Sequence, residues 1–162
     1  MKTALLSIIM TGALAAPTLA QDVVQQSSLG TALSVELAQS AVAACSTDGY
    51  NVSAAVTDRS GVLLALVRND NAGAHTANAS TAKAFTSASS RTPTGVMADN
   101  VAKNSAAAGL ADIPGFLVLA GGVPIKIGTA TVGAIGVAGA PGGNLDEACA
   151  NKAIEKAAAR LK

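Results

Sequence analysis

Aromatic side chains are nearly missing from this chain of 162 residues, which has no Trp and only Tyr50, Phe85 and Phe116. Its core must be built from Ala, Val, Ile and Leu, which pack closely but bury little area apiece where Ala dominates. Association with further copies is a natural way to hide more surface, so a homo-oligomer is expected. Charge is scarce as well, at 13% of residues, and the formal net charge is only +1. That balance offers no electrostatic footprint for nucleic acid or anionic lipid. Histidine occurs once, at His75, and cysteine twice, at Cys45 and Cys149. One His and two distant Cys make no convincing zinc site, which takes about three or four protein ligands. There is no G-x-S-x-G, and Asp58, Asp70, Asp99 and Asp112 fall in turns or at helix ends. An enzyme working through protein side chains alone is therefore disfavoured, and a bound cofactor would have to carry any chemistry.

What is present begins with an export signal. Lys2 supplies a positive start, Ala4 to Ala16 an apolar run, and Thr18-Leu19-Ala20 a small-residue cleavage site. The run is too short, and too soon followed by Pro17, for a membrane span, so no transmembrane segment is expected. Residues 1–20 are read as a signal peptide cut near Ala20, which points to a periplasmic or secreted protein. Residues 21–33 are polar and read as a flexible leader, and residues 34–162 as a single domain. An exported chain with two cysteines is a candidate for one bridge, Cys45 to Cys149, if the first and last helices pack side by side; two buried free thiols are the alternative.

Periodicity and punctuation outline the domain. Ser34 is expected to cap a first helix, with Glu36 in its first turn, ending at Asp48-Gly49. Val52 to Thr57 and Val62 to Val67 read as a β-hairpin around Asp58-Arg59-Ser60-Gly61. A helix over about 76–89 follows, then one from a Thr94 cap to about Lys103. Asn104 to Gly115 reads as a loop. Phe116 to Leu119, Val123 to Ile127 and Thr131 to Ala138 read as three short strands. Asn144-Leu145-Asp146-Glu147 resembles a capping box opening a last helix to about Leu161, with Gly142-Gly143 ahead of it as a possible anion site. The expectation is α+β, a five-stranded, mainly antiparallel sheet covered by helices.

The stretch from Asn69 to Pro93 carries the candidate site. His75 stands at the mouth of a helix, and on a wheel Ala79, Ala82 and Thr86 fall within about 40° of it. A face of small side chains beside a lone imidazole suits a flat, acidic body that needs one nitrogen ligand. Lys83 and Arg91 are the nearby cations, to be read as partners of that body's acids or as solvated charges. Tyr50 is a second candidate ligand, or a core or rim residue.

The run GAHTANASTAKAFTSASSRTPT, with LAGGVPIKIGTATVGAIGVAGAPGG after it, resembles the GlcG/HbpS family (DUF336), to which the C-terminal domain of PduO-type proteins is related. The similarity covers about Ser34 to Leu161. It implies a small α/β domain with profilin-like layering, several of whose members bind haem, typically as oligomers. On that resemblance His75 is the axial ligand of haem iron, Ala79 and Thr86 line the macrocycle, and Lys83 and Arg91 pair with its propionates. The haem is expected to be non-covalent and exchangeable, on the surface or between subunits. The function implied is haem capture, buffering or sensing. The alternative is a module of the same fold that serves glycolate- or corrinoid-type metabolism without haem.

Overall fold

The computed structural model describes residues 24–162; the expected signal peptide lies outside them. The elements run α1 (Thr31–Thr47), β1 (Ser53–Asp58), β2 (Leu63–Arg68), α2 (His75–Ser90), α3 (Thr94–Lys103), a 3₁₀ stretch (Ser105–Asp112), β3 (Gly122–Ile127), β4 (Ala130–Ala138), α4 (Gly143–Lys156) and a short 3₁₀ turn (Ala158–Arg160). The architecture is α+β. Among the described residues the sheet has four strands, not five, in the order β2-β1-β4-β3, and every pairing is antiparallel.

The missing strand is Phe116 to Leu119. Its apolar run passes for a short strand, but its backbone is held by a helix. The Leu117 N–H donates to Thr86 Oγ1 at 2.8 Å, and Phe116 packs edge-to-face on Phe85 with ring centroids 6.0 Å apart. A short apolar run does not say which partner will take its hydrogen bonds. The β1–β2 hairpin forms as expected. Asp58 Oδ1 accepts from the N–H groups of Ser60 and Val62, and Gly61 takes the positive φ of 87° that the turn demands.

Three expected caps are placed differently. Helix α1 starts at Thr31 after Gly30; Ser34 lies within it, buried, its hydroxyl donating to Gly30 O. Glu36 pairs with Arg160 instead of serving a first turn. Thr94 is the first residue of α3, and its Oγ1 donates to Leu119 O and accepts from Gly122 N–H, tying the approach to β3. No side chain caps α4, whose N-cap is Gly142.

The two faces of the sheet differ in grain, and that positions everything else. On one face the larger aliphatics Val52, Val56, Val123, Ile135 and Val137 meet Leu37 and the alanines of α1 and α4 in the main core. On the other, Ser53, Ala55, Gly122, Ala134 and Gly136 present almost no side chain, and α2 lies close against them. A Cβ on Gly136 would sit 2.1 Å from Ser80 O, and one on Gly122 2.4 Å from Lys83 O. Small residues on both sides bring helix and sheet backbones into contact.

On the aliphatic face α1 and α4 are stapled by the Cys45–Cys149 disulfide, Cα to Cα 5.4 Å, with both cysteines buried. It closes a loop with a sequence separation of 104. In the chain-entropy account, unfolding of a Cys45→Ala/Cys149→Ala variant by urea should show a loss of about 4 kcal/mol. Two free thiols in the unreduced wild type, counted by alkylation and mass, would refute the bridge.

No helix among the described residues is long and apolar enough to cross a membrane.

Candidate functional site

The start of α2 is locked from inside, and that leaves His75 free on the outside. Thr76, the next residue, is buried; its Oγ1 donates to Gly73 O and lies 2.7 Å from Ser53 Oγ on β1. Arg68 donates from Nε to Ala72 O, and Asn71 N–H donates to Asn69 Oδ1, which shapes the loop before the helix. With Thr76 turned inward, His75 points out, exposed, its ring lying over Gly73.

The imidazole stands at the lip of a groove of about 400 Å³ between α2 and the segment joining β4 to α4. His75, Ala79 and Lys83 form one wall, Gly139 to Gly143 the other, with Leu119 at the rim and Asp146 at the base. Of the expected small-residue face, only Ala79 lines this groove. Ala82 faces a separate cavity beside Phe85. Thr86 is buried, donating to Ala82 O while accepting from Leu117 N–H, so it is an internal anchor and not a lining residue.

The two cations also part company. Lys83 is 1% exposed, not a solvated charge on the helix face. Its Nζ donates to Asp146 Oδ2 at 2.8 Å and to Val137 O at 2.9 Å. Asp146 Oδ1 in turn accepts from Ala140 N–H at 3.0 Å. One ion pair thus joins α2, the end of β4, the 139–143 segment and α4, which are the walls of the groove. Burial pushes the Asp146 carboxyl above its usual range, and the hydrogen bonds and charge on its other side only partly offset this. Arg91 is exposed and ends α2 in the left-handed region at φ 58°, the far end from His75. Sixteen residues of helix separate the two by about 24 Å.

Tyr50 is half-buried against the aliphatic cluster of the opposite layer and does not line the groove. Among the described residues no three His, Cys, Asp or Glu side chains gather as a metal cluster. The arrangement offers one accessible nitrogen ligand at a groove with a mostly small-residue lining. Asp146 was missed by sequence reasoning because it sits inside an apparent capping box. Its signal was the pairing of a mid-helix Lys with an acid on a second helix, which only the packing joins.

The structure is similar to crystal structures of this architecture. A double mutant of Streptomyces reticuli HbpS is 41% identical, with a TM-score of 0.78 over 88% of this chain and 97% of that one. Klebsiella pneumoniae ORFY is 24% identical, with a TM-score of 0.74 over 85% of this chain and 96% of its own. PduOC, crystallised as a heme complex, is 22% identical, with a TM-score of 0.73 over 79% and 94% of the two chains; at that identity the likeness is one of fold. No curated protein matches the chain. The family described as haem degrading protein HbpS-like matches residues 29–155, and the chain belongs to it.

Proposed function

We propose that this protein is an exported haem-binding protein in which His75 is the single protein ligand of the iron. The observation that carries the reading is the exposed imidazole at the lip of a small-residue groove. Haem needs only one strong axial bond from the protein, and a single accessible nitrogen with no second metal ligand nearby fits that donor requirement. The groove is partly open to solvent, so the macrocycle would be gripped on one side, with modest affinity and exchange. HbpS at 41% identity and the family's haem-degrading description support the same ligand class, and PduOC holds heme on the same fold.

Export is supported by the Cys45–Cys149 bond, since such bonds persist in oxidising compartments. Self-association is supported by the exposed apolar side chains Val62, Leu63 and Leu66 on and beside the edge strand β2. Retention of residues 1–20 in protein purified from its host would overturn the export reading.

The site is tested by titrating hemin into wild type and His75→Ala. The variant should fold as wild type by circular dichroism, because His75 is exposed and bonds to nothing in the core. It should lose the wild-type Soret position and bind at least about tenfold more weakly, the equivalent of about 1.4 kcal/mol of axial bonding. A folded variant with unchanged Soret band and affinity would show that the iron is held elsewhere.

A further inference from the structure

The His75 groove does not end at Leu119. A second groove, of about 530 Å³, opens on the other side of the same residue, between α3 and α4. The two share Leu119 and Gly143 as lining residues. Leu119 is 50% exposed, a large apolar side chain standing on the ridge between them. Across that ridge the chemistry changes. The second groove carries Glu147, whose Oε2 lies over Gly95 at the start of α3 and 3.4 Å from Gly121 N, and Asp99, which pairs with Lys103. The lysine of the first groove is already matched to Asp146, and Arg91 is at the other end of α2. Among the described residues the combined surface thus has no unmatched cation, while Glu147 is an acid without an ion-pair partner.

We propose that the two grooves form one binding surface, that Leu119 is its central apolar contact, and that Glu147 turns the propionates of a bound haem away toward solvent. The proposal rests on the haem reading above and deepens it by assigning the ligand's polarity. A flat macrocycle held at His75 extends over Leu119 because that half-exposed leucine lines both grooves. Its carboxylates then avoid the Glu147 end, where like charge meets like charge. Recognition is by the apolar face and the iron, not by the acids.

The test compares hemin with its neutral bis-amide, in which the propionates carry no charge. Even turned to solvent the propionates stay within about a Debye length of Glu147, so wild type should bind the bis-amide about two- to fivefold more tightly than hemin. Glu147→Gln keeps an acceptor for Gly121 N–H and should bring that ratio close to one, chiefly by tightening hemin. Raising the salt should shrink the wild-type ratio in the same direction. Leu119→Ser should weaken both ligands about tenfold, the worth of one part-buried leucine, with the circular dichroism unchanged. A ratio unmoved in folded Glu147→Gln, or affinity indifferent to Leu119→Ser, overturns the inference and leaves the haem reading standing. A wild type that takes up neither ligand overturns both.

Discussion

Lys83→Ala should lower the stability of the fold by about 3–5 kcal/mol, among the largest single losses available to this chain. The reason is what it leaves behind. Asp146 is buried within α4, and without the ammonium it keeps only the Ala140 N–H. Asp146→Asn removes the other half of the pair and leaves a buried ammonium against Val137 O, with a loss of similar size. Lys83→Met combined with Asp146→Asn should recover most of it, because no uncompensated charge then remains and the Asn can still accept from Ala140. The pH dependence of Lys83→Ala carries a definite sign. The Asp146 carboxyl is already held above its usual range by desolvation, and loss of its cation raises it further. A group whose folded pKa is raised holds its proton in the folded chain where the unfolded chain has released it. The folded variant is therefore relatively favoured below the ordinary carboxylate range, and that advantage is lost as pH rises through the folded pKa. Urea titrations at several pH values should show the deficit against wild type shrinking toward pH ~4. A deficit below about 1 kcal/mol at neutral pH would mean that the pair contributes little.

Gly136→Val should prevent folding. The Cβ of any residue there falls 2.1 Å from Ser80 O and 2.5 Å from Ala84 N, both backbone atoms of α2, so no side-chain rotation relieves the clash. Helix α2 would have to lift from β4 along its length, and with it His75 and the Lys83–Asp146 pair. Even Gly136→Ala should cost more than about 3 kcal/mol, above the usual cost of an extra methyl because rigid backbone, not adaptable side chain, stands in its way. Gly30→Ala is the control: nothing lies within 4 Å of its Cβ and its φ is −86°. Thermal unfolding by circular dichroism distinguishes them. A Gly136→Ala variant melting with wild type would show that the α2–sheet contact is looser than described.

Local chemistry made several features readable in the order of residues. Asp58 and Gly61 dictate the β1–β2 turn, because an Asx side chain followed by a positive-φ glycine closes a hairpin without help from the rest of the chain. The helical run after Gly73 follows from a stretch without glycine or proline. Cys45 on the flank of the first helix's apolar stripe and Cys149 on the stripe of the last made one bridge a candidate if those helices were neighbours, and the packing of α1 on α4 brings them together. His75 stood out because it is the only imidazole. The remainder depended on which surfaces meet. Phe116 to Leu119 carries a strand-like pattern, yet its hydrogen bond goes to Thr86 on α2, a partner 31 residues away. A helical wheel put Thr86 beside His75, but a wheel cannot say which sector the sheet will cover, and the sheet covers Thr86. Lys83 read as a surface cation because its matching acid lies 63 residues further on. Sequence alone determined most of the local elements, which follow from neighbouring residues, and singled out His75, the one imidazole of the chain. The groove, its buried ion pair and the ridge at Leu119 were decided by tertiary structure, because each is made by side chains that only the packing of α2, α3, β4 and α4 brings together.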